Sequence, residues 1–261
     1  MIVDRYDAFL LDLDGVLFLG DEAAPGAREA LARLRAADKR LAFVTNNSSR
    51  SPRDLAERLV RLGMYAVPAE VETSALTTAA ALADRGLRTA FVIGESGLRE
   101  ALQERGIEVV GADAPRVDAV VVGWDRAADY ARLRDASNLV QRGAAFIATN
   151  DDASLPAPGG ERWPGAGALL AAIETTTGAR AEVMGKPHPP ILRAALSRAG
   201  GGRPLIVGDR IETDIAGAAA LGWDSLLVLT GISTAADAAA AGPAPTYVGR
   251  DLSALFDAAF G

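Results

Sequence analysis

The chain is 261 residues long, carries a net charge of −7, and is 49% apolar and 23% charged. That length fits one large domain or two smaller ones with real cores, and the acidic balance argues against generic affinity for nucleic acid or an anionic membrane surface. Without cysteine there is no disulfide, thiolate metal site or cysteine nucleophile, and the lone histidine, His188, excludes a multi-histidine zinc site within one chain. Carboxylates, Lys, Arg, hydroxyls, backbone amides and hard cations remain, and hard cations such as Mg²⁺ take oxygen ligands. The start, "MIVDRYDAFLLDLDG", lacks a basic region and a clean apolar core, so it does not read as a signal peptide. No apolar run approaches the ~20 residues of a membrane span, and the expected compartment is the cytoplasm.

Strand-like and helical patterns alternate from end to end. "AFLLDL" reads as a buried strand, and "GAREALARLRAAD" as a helix with Ala27, Ala30, Leu31 and Leu34 on one face. "RLAFVT" is a strand and "SPRDLAERLVRLG" a helix, with Pro52 at its first position and Gly63 at its end. "TSALTTAAALADRG" (helix), "TAFVIG" (strand), "SGLREALQERG" (helix), "IEVVG" and "DAVVVG" (strands), "ADYARLRDASNLVQRG" (helix) and "AAFIAT" (strand) follow. "NDDASLPAPGGERWP" reads as a long polar loop before the helix "GAGALLAAIETTTG". After "AEVMGKPHPP" come "ILRAALSRAG" (helix), "PLIVG" (strand), "TDIAGAAALG" (helix) and "SLLVLTG" (strand). Such alternation predicts parallel sheets covered on both faces, whose function collects at the carboxyl ends of the strands.

Several strand ends carry polar residues. Asp12 and Asp14 interrupt the apolar "FLLDLDGVLFLG"; residues two apart on a strand share a face, and Gly15 permits a sharp exit. Two like charges so close need a cation or donors between them. Thr45, Asn46 and Asn47 offer hydroxyl and amide donors for an anionic oxygen, although such residues also favour turns and helix starts. Lys186, in "VMGKPHPP", is an ammonium on a rigid backbone suited to phosphate or carboxylate, or else a surface lysine. Asp209 follows "PLIVG" directly, and Asp214 opens the next helix, where the dipole favours a carboxylate. His188 reads as a loop residue rather than a base. "FVIGESGLREAL" reads as an ordinary strand-to-helix turn, and the echo between "AFVTNN" (42–47) and "AFIATND" (145–151) as two polar strand ends.

The combination is more specific than its parts. "DLDGVLFLG", "FVTNNSSRSP", "FIATNDD", "PGAGALLAAIETTTG", "VMGKPHP" and "VGDRIETDIAGA" together resemble the haloacid dehalogenase (HAD) superfamily, and within it the NagD-like phosphatases of subfamily IIA. The resemblance runs nearly the whole chain. It implies a doubly wound, Rossmann-like α/β core with a parallel sheet over residues 1–72 and 183–261, and an inserted α/β cap domain over 73–182. It implies Asp12 as nucleophile, giving an aspartyl-phosphate, and Asp14 as the acid and base. Mg²⁺ would be held by the Asp12 carboxylate, the Asp14 carbonyl and Asp209, with Asp214 acting through a metal-bound water or by holding Lys186. Thr45, the Asn46 backbone and Lys186 would hold the phosphoryl oxygens. The cap would exclude water and select the substrate, with Asn47, Asn150 and Asp151 as candidate contacts.

The implied partner is a small phosphomonoester: glycerol phosphate, phosphoglycolate, pyridoxal phosphate, a sugar phosphate or a nucleotide. The resemblance is also compatible with a homodimer through the cap. Two alternatives use the same acidic Mg²⁺ site, a non-hydrolytic phospho-acceptor and a regulatory protein without catalysis; a third is a phosphomutase. A phospho-acceptor needs no cap and gains nothing from an acid that speeds dephosphorylation, which sets Asp14 and the chain length against it.

Overall fold

The computed structural model describes residues 1–156 and 158–258. In chain order the strands are β1 (Ala8–Asp12), β2 (Phe18–Leu19), β3 (Glu22–Ala23), β4 (Arg40–Thr45), β5 (Val71–Thr73), β6 (Thr89–Ile93), β7 (Glu108–Val109), β8 (Ala119–Val122), β9 (Ala145–Ala148), β10 (Ser154–Pro156), β11 (Arg162–Pro164), β12 (Glu182–Val183), β13 (Pro204–Gly208), β14 (Asp224–Val228) and β15 (Tyr247–Gly249). The α-helices are α1 (Ala27–Ala36), α2 (Pro52–Arg61), α3 (Ser74–Asp84), α4 (Ser96–Glu104), α5 (Tyr130–Gln141), α6 (Ala166–Thr177), α7 (Pro189–Arg198), α8 (Ala216–Ala220) and α9 (Ala235–Ala240). Among the described residues, no helix is long and apolar enough to cross a membrane.

The chain divides into two compact units. The first holds Met1–Thr45, Pro52–Glu72 and the chain from Lys186 onward; the second holds Asn46–Ser51 and Thr73–Gly185. The sequence places the boundaries at 72/73 and 182/183, and the structure assigns two further segments to the second unit. Residues 183–185 go there because β12 pairs with β9 and Met184 is buried in that unit's core. Asn46–Ser51 goes there because its backbone bonds to that unit: Asn150 Nδ2 donates to Asn46 O and Gly97 N donates to Ser49 O.

In the first unit the sheet order is β15-β14-β13-β1-β4-β5, and β15 through β4 pair in parallel. The alternation read from the sequence sets its two faces. Phe9, Leu11, Phe43 and Val207 pack with Leu31 and Leu34 of α1 and Leu55 and Leu59 of α2. Leu10, Ala42, Val44 and Ile206 pack with Ile191, Leu192 and Ala195 of α7 and Ala218 of α8. Helices on both faces make this a doubly wound, Rossmann-like layer. The chain runs outward from β1 in one direction through β4 and β5 and in the other through β13, β14 and β15, so the order reverses between β1 and β13. Ligands of such sheets bind outside the carboxyl ends of the strands at that reversal.

The second unit repeats the principle with five strands in the order β12-β9-β8-β6-β7, all pairings parallel. Helices α3 and α4 cover one face and α5 and α6 the other. Its reversal lies between β6 and β8.

Two short hairpins are not foreshadowed by the sequence pattern. β2 and β3 form one directly after the Asp12–Gly15 stretch, and β10 and β11 form one inside the segment that reads as a polar loop. Strands of two or three residues show no usable alternation. The left-handed pair Gly159 and Gly160 (φ 74° and 79°) lets the second hairpin turn.

Asp118 ties β8 to β6 at their amino ends. Its half-buried carboxylate accepts from the amides of Arg88 (2.8 Å) and Thr89 (3.1 Å), and its own amide donates to Thr89 O and Oγ1. These bonds, led by the Arg88 amide and then the Arg116 guanidinium, hold the carboxyl down at about 2. Replacing Asp118 by Ala strands two backbone donors and should cost about 1–3 kcal/mol in a urea titration at neutral pH. A carboxyl depressed in the fold stabilises fully above its free value of about 4 and loses that contribution as pH falls toward 2, so the stability gap between wild type and Asp118→Ala should narrow from about pH 4 downward and close only near pH 2.

Candidate active site

The strands flanking the reversal of the first sheet both end in acids. Asp12 is the last residue of β1, and Asp209 follows β13 after Gly208. Both are buried, as are Lys186 and Asp214. Lys186 Nζ lies 2.7 Å from Asp12 Oδ1 and 2.6 Å from Asp214 Oδ1. Carboxylate oxygens of Asp12, Asp209 and Asp214 all fall within 4.8 Å of one another.

Lys186 thus pairs with two of the three carboxylates, and when all three are ionised two negative charges are uncompensated in a poorly hydrated place. The consequences follow group by group. Burial pushes the Asp12 carboxyl well above the usual range, against the pull of Lys186 and with Asp214 and Asp209 adding to the rise. Burial and Asp214 push Asp209 up to about 6. Burial by itself would lower the Lys186 ammonium, but Asp12 and Asp214 outweigh it and hold it well above its ordinary value. Asp209 adds an independent sign of a missing charge: its Oδ1 is buried with no hydrogen-bond partner, while its Oδ2 accepts from Ile232 N at 2.7 Å. An all-oxygen donor set with two charges to neutralise and an orphaned carboxylate oxygen fits a hard divalent cation.

Close backbone approach builds the cluster. A Cβ on Gly231 would lie 1.9 Å from Asp209 Oδ2, and one on Gly208 would lie 2.1 Å from Asp214 Cγ. Gly15 is left-handed (φ +86°), and a Cβ there would lie 2.4 Å from Asp209 Cγ. Gly15 is tied down on both sides, its amide donating to Phe18 O and its carbonyl accepting from Thr230 Oγ1 at 2.5 Å.

The sequence puts Asp12 and Asp14 on one strand face. The structure separates them: β1 stops at Asp12, and Asp14 sits beyond it on the turn into the β2–β3 hairpin, with its side chain open to solvent. The protein crowding Asp14 still raises its carboxyl, with Arg58, Lys186 and Arg210 pulling it back down. Asp214 also differs from its expected place at a helix start. It lies within a π-helical turn, Ile211–Ile215, ahead of α8, and this wide turn lets its Oδ2 accept from Arg210 N while Oδ1 takes Lys186.

Thr45 ends β4, buried, and Asn46 follows it, also buried. Asn47 Oδ1 accepts from Ser49 N (2.9 Å) and Ser49 Oγ (2.8 Å). Asn150 is buried and bonded to the Asn46 carbonyl, whereas Asp151 is exposed. His188 precedes α7 and is outside the acidic cluster. Sequence reasoning missed Arg58, whose guanidinium stacks 4.0 Å over the Phe18 ring and donates to Gly20 O, fastening the hairpin beside Asp14. Nothing in the spacing of α2 marks it. Thr230 and Gly231 were within reach, because they end a predicted strand.

The chain is similar to known proteins over nearly its whole length. A family model described as haloacid dehalogenase-like hydrolase matches residues 9–108, and a second, HAD-hydrolase-like, matches residues 183–255. A D-glycerol 3-phosphate phosphatase of Mycobacterium tuberculosis is 39% identical over 97% of this chain and 72% of its own length. An acid sugar phosphatase of Staphylococcus aureus is 36% identical over 95% of this chain and 96% of its own. Among solved structures, a glycerol phosphate phosphatase from M. tuberculosis in complex with magnesium superposes with a TM-score of 0.91 at 39% identity, covering 97% of this chain and 77% of that one. NagD from Escherichia coli K-12 superposes at 0.87 and 33% identity, covering 95% and 97%.

Gly231→Ala tests the packing of the cluster. The added methyl must displace the Asp209 carboxylate, so divalent-cation affinity measured by calorimetry should fall about 10- to 100-fold, as for other disturbed ligand supports. Affinity within twofold of wild type would show that Asp209 does not hold the ion.

Proposed function

Because the chain belongs to the haloacid dehalogenase-like hydrolase family, we propose that it hydrolyses small phosphomonoesters in a Mg²⁺-dependent reaction through an aspartyl-phosphate. The observation that carries this reading is the buried Asp12–Asp209–Asp214 cluster with Lys186 at 2.7 Å from Asp12 and a carboxylate oxygen of Asp209 left unbonded.

In this reading a carboxylate oxygen of Asp12 attacks phosphorus as the bond to the ester oxygen breaks. Lys186, the Thr45 hydroxyl and the Asn46 amide hold the transferring oxygens and stabilise the charge that develops on them. Asp14, whose raised carboxyl keeps its proton to higher pH than a free aspartate, gives that proton to the leaving alkoxide. As a carboxylate it then takes a proton from the water that cleaves the acyl phosphate, releasing inorganic phosphate and restoring Asp12. When bound, Mg²⁺ supplies charge neutralisation between the nucleophile and the phosphoryl group. Asp12, Asp209 and the Asp14 carbonyl would hold it, while Asp214 keeps Lys186 charged and aimed at Asp12.

The relatives that act on glycerol 3-phosphate and on sugar phosphates support a polyol or sugar phosphate as substrate. Release of phosphate from a panel of glycerol, sugar, glycolate, pyridoxal and nucleotide monophosphates, ranked by kcat/KM, tests the class and the substrate together. EDTA treatment should abolish turnover and added Mg²⁺ restore it; full activity in EDTA would sink the metal role. Asp12→Asn should fall by at least about 10³-fold, in the range for loss of a covalent nucleophile. A variant turning over at the wild-type rate would falsify the nucleophile assignment. A phosphoprotein that forms with acetyl phosphate and does not turn over would favour the phospho-acceptor reading instead.

A further inference from the structure

The reversal point of the second sheet, where a doubly wound fold ordinarily receives a ligand, is filled by the chain's own segment Asn46–Ser51. Ser49 O accepts from Gly97 N at 3.2 Å, at the start of α4 beyond β6. Thr149 Oγ1, beyond β9, donates to Ser48 Oγ at 3.2 Å. Three glycines permit the approach: a Cβ on Gly97 would lie 2.7 Å from the Arg50 backbone, on Gly123 2.7 Å from Ser48 Oγ, and on Gly185 2.7 Å from Asn46 Oδ1.

Within this docked segment one atom is held twice. The Asn46 carbonyl oxygen accepts from Asn150 Nδ2 at 2.8 Å and from Ser74 Oγ at 2.6 Å, and the Asn46 side chain donates to Asp152 Oδ2 at 3.2 Å. Asn46, Ser74 and Asn150 are all buried, so neither donor can exchange its bond for water without cost. The peptide is planar, so fixing this carbonyl also fixes the Asn47 amide, which points the opposite way. With carbonyl and side chain both pinned, rotation of the Asn46 backbone is restricted.

We propose that Asn150 and Ser74 are positioning residues for the phosphate-binding segment. They clamp the Asn46 carbonyl so that the Asn46 and Asn47 amides meet the substrate's phosphate already oriented. This assigns a role to the Thr-Asn pair at 149–150 that echoes Thr45-Asn46, and it makes Asn150 a support for the segment rather than a selector of substrate. The inference rests on the phosphatase reading above. Orientation of this kind is realised in binding, and small misplacements carry large penalties.

Ser74→Ala, Asn150→Ala and the double variant, each with Mg²⁺ present, test it with p-nitrophenyl phosphate as substrate and inorganic phosphate as inhibitor. In the double variant, KM and the inhibition constant for phosphate should both rise about tenfold or more, and each single variant should rise less because one donor remains. A merely structural role would lower the melting temperature and the active fraction but leave both constants within twofold of wild type, and that result overturns the proposal. If the double variant does not fold, Ser74→Ala, which deletes one oxygen, decides: a rise of about threefold in both constants supports the clamp and no change refutes it. Wild type inactive on every phosphomonoester removes both readings; an active wild type with unmoved variants removes this one alone.

Discussion

The contact of Lys186 with two buried carboxylates is the constraint from which the rest of the first unit follows. An ammonium brought out of water beside Asp12 and Asp214 has to be met at 2.6–2.7 Å or the site is unaffordable in a protein of ordinary stability. That requirement dictates where the chain may go. β1 must deliver Asp12 next to the segment that carries Lys186, and the π-helical turn after β13 must bring Asp214 round to the far side of the same nitrogen. One oxygen of Asp209 is then left unbonded, and burial, with Asp214 beside it, pushes its carboxyl upward. The two charges left over after Lys186 and the unbonded carboxylate oxygen fit a hard divalent ion.

Glycine is the second half of that construction. Carboxylates can sit this near the backbone only where the neighbouring residue has no side chain, and Gly15, Gly208 and Gly231 leave that space to Asp209 and Asp214. The same device recurs in the second unit, where Gly97, Gly123 and Gly185 admit the segment Asn46–Ser51 into a crevice that the fold would otherwise offer to a ligand. Two doubly wound sheets therefore use their reversal points differently. One gathers charge for chemistry, and the other grips a piece of chain.

Much of this is legible in the sequence, for definite reasons. β1, β4 and β13 are nearly pure apolar runs, so their ends are easy to place, and an acid or a Thr-Asn at such an end stands out. Lys186 says little through its own neighbours and gains meaning from the other strand ends. The two hairpins are not legible, because strands of two or three residues carry no period and the prolines around β10 and β11 read as loop. Arg58 is invisible for another reason: its position on α2 looks like any solvated arginine, and its role comes from Phe18 and Gly20, which the fold brings under it. The Thr-Asn at 149–150 reads locally as a polar strand end, and the resemblance adds only a candidate substrate contact at Asn150, since a hydrogen bond spanning 104 residues cannot be seen in a local pattern.

Residue types and their order along the chain determined the fold class, the alternation of the sheets, the family and the set of chemical groups at the strand ends. The family rests on the resemblance of six motifs along the chain; the rest depends on hydrophobic periodicity and on which residue types end the apolar runs, which are properties of short stretches. The tertiary structure alone decided how those groups divide their work. It parted Asp12 from Asp14 by ending the strand between them, turned Asp214 from a helix-start acid into the partner of Lys186, left Asp209 Oδ1 without a donor, and laid Asn46 against Asn150 and Ser74. Each of those outcomes is a matter of where the chain turns and what it meets there, and such meetings are set by how the layers pack.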